Sequence, residues 1–161
     1  MGVSVRPAVR ADAALIYDFI RQLAAYEKLL HAVDATEANI EEALFAAAPR
    51  AFCEIAELDG APAGIALWFY NFSTFRGRAG VYLEDLFVLP EARGQGAGKA
   101  LLAGLAQRCL DENLARLEWS VLDWNAPSIA FYDGLGAEAM DEWTVRRLSG
   151  AALEALAGTS S

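Results

Sequence analysis

Histidine is nearly missing from this chain: His31 is the only one, and the two cysteines, Cys53 and Cys109, stand far apart with neither a CxxC pair nor a histidine cluster. One imidazole does not make a metal site, and no convincing Ser-His-Asp or Cys-His arrangement can be assembled from it, so no metal is expected. Both cysteines fall in apolar periodic segments and are expected to be small buried side chains rather than a disulfide, a metal site or a nucleophile. Positive charge is also scarce. Thirteen Lys and Arg stand against 22 Asp and Glu, a net charge of −9. That balance disfavours nucleic acid and anionic membranes as partners and suits a polycationic small molecule, although it also serves solubility alone. No apolar run approaches the ~20 residues that cross a bilayer. Residues 1–10 carry no apolar core of a secretory signal, so a cytoplasmic location is expected. Repeats and Pro/Ser-rich linkers are missing too. At 161 residues and 55% hydrophobic content, one domain over 1–161 is expected, with its core over about 3–148 and a short C-terminal helix and tail over 150–161.

What is present reads as alternating strands and helices. Residues 3–6 predict a first strand. Asp12 can cap a helix whose apolar positions Ile16, Phe19, Ile20 and Leu23 repeat at helical spacing to an end near Leu30. Thr36 can cap a second helix, with Asn39 where a capping box would carry Glu. Residues 52–58 and 63–72 flank an Asp59-Gly60 turn and predict a hairpin, and 71–80 is a polar link into the next strand. A helix to about Asn113 and a strand over 116–122 follow. Asn125 can cap a short helix that holds Pro127 in its first turn and stops near Gly134 and Gly136. Residues 143–148 predict a last strand and 151–156 a terminal amphipathic segment. The order is β-αα-ββ-β-α-β-α-ββ, an α+β fold with one mixed sheet flanked by helices.

The stretch around which this is organised runs from Tyr82 to Leu102. A strand carrying Glu84 and Asp85 reaches Pro90, passes through glycines at 94, 96 and 98, and enters a helix at Leu101, Leu102 and Leu105. Glycines at alternate positions can take positive φ, so successive N–H groups can converge on one anion, and the helix dipole aims at the same spot. A P-loop would need Gly in place of Arg93 and Ser or Thr in place of Ala100; a dinucleotide fingerprint would need Gly in place of Lys99 or Leu101. Both are excluded. As neighbours on a strand, Glu84 and Asp85 are expected to point to opposite faces and not to line one pocket together.

What remains, Arg93-x-x-Gly96-x-Gly98 between a strand and a helix, resembles the acetyl-CoA loop of the GCN5-related N-acetyltransferases. The segments Tyr82-Leu83-Glu84-Asp85-Leu86-Phe87-Val88 and Trp124-Asn125-Ala126-Pro127-Ser128-Ile129-Ala130-Phe131-Tyr132, with Arg6-Pro7-Ala8 and Leu23-Ala24-Ala25-Tyr26-Glu27, are similar to the spermidine/spermine (diamine) branch. The resemblance runs from about Val5 to Leu148. It implies acetyl transfer from acetyl-CoA to a primary amine of a small cationic acceptor, a polyamine or diamine first and a lysine-like side-chain amine as the nearest alternative. It further implies direct attack in a ternary complex and a homodimeric assembly. It assigns Tyr132 as the acid that protonates the CoA sulfur. Glu84 is assigned as the residue that holds the amine and helps take its proton, and Tyr26 and Glu27 as further acceptor contacts. The backbone of Leu86, Phe87 and Val88 is assigned to the pantetheine arm, Arg93, Gly94, Gln95, Gly96, Ala97, Gly98 and Lys99 to the pyrophosphate, and Asn125 and Ser128 to the cofactor from the second segment. Two departures stand out. Asp133-Gly134-Leu135 replaces the branch's basic pair after the tyrosine, leaving the 3′-phosphate without its usual contacts, and Arg76 and Arg78 would oppose a polycation if they faced it. The reading from another class is a catalytically silent acyl-CoA-binding or interaction module on the same fold.

Overall fold

The computed structural model describes residues 2–159. They divide into two compact units, the first running to Leu122 and the second from Asp123. The first holds β1 (Val3–Pro7), α1 (Ala13–Tyr26), α2 (Glu37–Phe45), β2 (Phe52–Leu58), β3 (Ala61–Ser73), β4 (Arg78–Val88), α3 (Ala97–Asp111) and β5 (Leu117–Trp119); the second holds α4 (Ala126–Gly134) and α5 (Gly150–Ala157). The strands form one sheet in the order β1-β2-β3-β4-β5. Neighbours are antiparallel except β4 and β5, which run parallel. This is the α+β fold with a mixed sheet.

Local chemistry sets most of the element ends. Asp59 and Gly60 both take positive φ, 51° and 84°, the turn whose twist matches a hairpin. α2 opens on a reciprocal cap: Asn39 N–H donates to Thr36 Oγ1 at 3.1 Å and Thr36 N–H to Asn39 Oδ1 at 2.9 Å, so Asn does what Glu usually does. Asp12 sits at the start of α1 but its side chain caps nothing there. Its carboxylate instead accepts from Arg6 at 2.8 and 3.0 Å and from Val9 N–H at 2.8 Å, because a two-pronged charged pair is stronger than a single cap bond. α1 ends at Tyr26 rather than near Leu30. Lys28 turns left-handed, φ 62°, and the helix closes through Lys28 N–H to Ala25 C=O (3.1 Å) and Leu29 N–H to Ala24 C=O (2.8 Å).

The core lies on both faces of the sheet. On one, Ile16 and Phe19 of α1 and Leu44 of α2 pack with Cys53, Ile55, Ile65, Leu67 and Phe87. On the other, α3 lies across the strands and buries Leu101, Leu102 and Leu105. Cys53 is a core side chain whose thiol burial pushes up, and Cys109 is half-buried; both are free thiols.

Two expected strands need correction. β5 covers three residues rather than 116–122. Residues 143–148 form no strand at all, and Trp143 and Val145 are 75% and 78% exposed. Alternation supplies a face, but a strand also needs a ladder partner, and among the described residues this segment has none.

Candidate active site

The ladder between β3 and β4 contains a fault at the expected site. Leu67 lies opposite Asp85 and Trp68 opposite Leu83, leaving Glu84 with no partner. Leu67 and Trp68 are neighbours on a regular strand, so they face opposite sides. Leu67 belongs to the α1 core, whereas Trp68 carries the Arg108 guanidinium of α3 4.8 Å from its ring centre. Asp85 therefore faces the α1 side and Leu83 the α3 side, although they are two apart. Glu84 is the extra residue of a β-bulge, and alternation from Leu83 puts it on the side of Asp85. The expectation that the two carboxylates point apart fails, because a bulge resets the parity on which it rested.

The end of α1 reaches the same place. Glu27 is the residue at which α1 stops, held by the left-handed closure at Lys28. Burial holds the Asp85 proton first, and the charges of Glu84 and Glu27 add to it, so its carboxyl is pushed up to about 6. Burial also raises Glu27. Asp85 and Glu27 are half-buried while Glu84 is exposed. Above pH ~6 Asp85 ionises beside Glu27 and Glu84, and an acidic cluster of this kind favours a cation and repels anions. Arg78 is committed elsewhere, donating to Asn113 Oδ1 at 2.8 Å. Arg76 lies in the turn between β3 and β4.

β4 leads from this cluster to the loop. On one side its last residues pair with β3, Leu86 with Ala66, Phe87 with Ile65 and Val88 with Gly64. On the other, β5 pairs only Val81 to Leu83. From Glu84 to Val88 no strand pairs with that second edge among the described residues, so an extended ligand can add there as a strand would. Gly94 and Gly96 take positive φ, 77° and 91°, and a Cβ at either meets nothing within 4 Å. Their glycine requirement is conformational rather than steric. Gly98 differs, being inside the first turn of α3. The first bond of that helix is Ala100 N–H to Gly96 C=O at 2.9 Å, so the amides of Ala97, Gly98 and Lys99 have no partner within the helix. The first turn of α3 contains no acidic residue. Donors and dipole thus fit a pyrophosphate.

In the second unit, Asn125 is buried and its Oδ1 accepts from Ser128 N–H at 3.4 Å, capping α4 as expected. α4 ends in a full left-handed closure at Gly136, φ 86°, with Gly136 N–H to Asp133 C=O (3.0 Å) and Ala137 N–H to Tyr132 C=O (3.2 Å). Tyr132 is half-buried on α4, its ring 5.5 Å from that of Phe131.

Sequence reasoning missed two residues. Asp85 was hidden by the bulge. Gly64 was read as an ordinary strand residue, yet a Cβ there would run into the Phe87 carbonyl oxygen and lie 3.2 Å from Val88 Cα. A lone glycine inside a strand pattern is the available signal for such an approach.

Comparison with known proteins follows the same lines. The acetyltransferase (GNAT) family model matches residues 16–137. The chain is 36% identical to a thialysine N-epsilon-acetyltransferase of Bos taurus, over 97% of this chain and 98% of that protein. It is 28% identical to an L-ornithine N5-acetyltransferase of Arabidopsis thaliana, over 94% and 86%. A solved integron cassette protein from the mobile metagenome of V. cholerae has a TM-score of 0.81 and 26% identity, with 99% of each chain covered. Because the family model spans the bulged strand, the glycine loop and α4, and the bovine relative matches almost end to end, the chain belongs to the acetyltransferase (GNAT) family of enzymes.

Proposed function

We propose that the protein acetylates a primary amine of a small cationic acceptor, a diamine or polyamine first, using acetyl-CoA while both substrates are bound. The acidic cluster of Glu27, Glu84 and Asp85 carries this reading, since a second ammonium on the acceptor would meet an acidic site in which Asp85 is ionised above pH ~6. Acetyl-CoA supplies an activated acetyl thioester. The backbone of Leu86, Phe87 and Val88 would hold its pantetheine arm, the amides from Gly94 through Gln95, Gly96, Ala97 and Gly98 to Lys99 its pyrophosphate, and Asn125 and Ser128 are assigned to the arm by resemblance alone.

The protein's part in the reaction is proton management. Asp85 and Glu27, with Tyr26, hold the acceptor; Glu84, exposed and beside water, takes a proton from the reacting ammonium. As the new N–C bond forms and the C–S bond breaks, Tyr132 gives its phenolic proton to sulfur, a role that rests on its motif. A phenol can donate at a pH where a carboxylate is already ionised. A homodimer is the assembly that accompanies this reading.

A lysine-like acceptor is the second reading, favoured by the near full-length similarity to the bovine thialysine enzyme. Release of free CoA over spermidine, spermine, putrescine, ornithine, lysine and thialysine decides between them: the highest kcat/KM on a polyamine supports the first reading, and on a diamino acid the second. Tyr132→Phe is expected to lower turnover about a hundredfold with acetyl-CoA binding preserved. Unchanged turnover removes Tyr132 from the chemistry.

A further inference from the structure

We infer that the side chain of Arg93 positions the acceptor site rather than binding the anion, an inference that rests on the acetyl-transfer reading. The guanidinium centre lies 5.2 Å from the ring centroid of Tyr26. Its Nε donates to the Val88 carbonyl at 3.2 Å, and the Arg93 backbone N–H donates to Pro90 C=O at 3.3 Å. The arginine of the glycine motif is thus turned back along its own chain and away from the loop. It joins two elements that must stay in register: the last residue of α1 and the end of β4.

The consequence reaches the carboxylates through one peptide bond. Tyr26 immediately precedes Glu27, and the Glu27 charge is felt at Asp85. The turn that closes α1 passes through Lys28 in the left-handed region, not through a glycine, so it is held at a conformational cost. A planar cation laid on Tyr26 and bonded to Val88 keeps that turn against the strand. Lysine cannot substitute, because it has neither the plane to stack nor a second directed donor. The anion has other donors, the loop amides and the start of α3.

Charge and geometry predict opposite outcomes here, which makes the inference testable. If Arg93 mattered only as a positive charge near an acidic site, removing it would help a cationic acceptor. If it positions Tyr26 and Glu27, removing it harms acceptor binding whatever the charge of the replacement. The experiment compares amine KM and kcat at saturating acetyl-CoA, and acetyl-CoA Kd by calorimetry, for Arg93→Lys, Arg93→Gln, Tyr26→Leu and the Arg93→Gln/Tyr26→Leu double variant. Both Arg93 variants are expected to raise amine KM about fivefold with kcat nearly unchanged, a factor typical of one exposed cation–π contact. In the Tyr26→Leu background Arg93→Gln should add nothing further. A neutral Arg93→Lys, a lowered amine KM in Arg93→Gln, or a tenfold weaker acetyl-CoA Kd with unchanged amine KM overturns it. An active parent whose amine KM ignores Arg93 sinks this inference alone, whereas a parent that binds acetyl-CoA and acetylates no amine sinks the acetyl-transfer reading beneath it.

Discussion

Asp85→Asn is expected to yield a protein more stable than the parent at pH 7.5 and about a thousandfold poorer in kcat/KM toward a diamine. The stability half follows from the proton. In the folded chain the Asp85 carboxyl is pushed up to about 6 against an ordinary value of 3.8. Between those two values the folded state binds more protons than the unfolded one, so stability falls as pH rises through the window, and above pH ~6 the loss is complete. Asn keeps the shape and carries no charge, so it escapes the loss. The gap between variant and parent should open from pH ~4 and level off above pH ~6 at roughly 1–2 kcal/mol, the half-buried setting trimming the full linkage value. The activity half follows from removing one partner of a charge pair formed with the acceptor, a change that costs on the order of 2–5 kcal/mol. Urea unfolding at pH 5.0 and 7.5, with kcat/KM for a diamine and a neutral monoamine, checks both halves. Equal parent and variant stability at both pH values would remove Asp85 from the acidic cluster. Equal activity losses on charged and neutral acceptors would remove it from recognition.

Gly64→Ala is expected to cost about 3 kcal/mol and to weaken acetyl-CoA binding at least tenfold. The added carbon collides with the Phe87 carbonyl and crowds Val88 Cα, and a backbone cannot rotate away as a side chain can. Relief requires β4 to move at Phe87 and Val88, the residues whose backbone is proposed to hold the pantetheine arm. Gly104→Ala provides the control. It stands exposed within α3 with nothing within 4 Å of its Cβ, so a gain of up to about 1 kcal/mol is expected there. Thermal unfolding and calorimetry with CoA distinguish the two. A Gly64→Ala protein that binds CoA as the parent does would show that β4 yields without disturbing its free edge.

These two residues mark where the sequence stops being readable. Features decided within a few residues could be read: the Asp59-Gly60 turn, the Thr36 and Asn39 cap, the glycines before α3 and the Asn125 cap all depend on chemistry between near neighbours. Asp12 shows the first limit. Its position at the helix start was legible, but the competing offer from Arg6 on β1 was not. The bulge is a stronger case, because the pairing of Asp85 with Leu67 is set across the sheet by residues far away in the chain. Gly64 escaped for the same reason, since its reason for being glycine lies on β4. The expected strand over 143–148 failed in the other direction, its alternation being visible in the sequence and its lack of a partner not. The roles proposed for Tyr132, Asn125 and Ser128 toward the cofactor rest on resemblance alone, since no local rule says what a tyrosine on a short helix is for.

The unpartnered Glu84 also bears on how this scaffold tolerates change in length. A chain shortened by that one residue would have an unbroken ladder between β3 and β4 and so the more regular hairpin. Asp85 would still face α1 and Leu83 still face α3, since the two would become neighbours opposite Leu67 and Trp68, and what would be lost is the second carboxylate on the α1 side. The extra residue thus places two carboxylates on one face where a regular strand would place one, and the number of residues between Leu83 and Asp85 is itself part of the site.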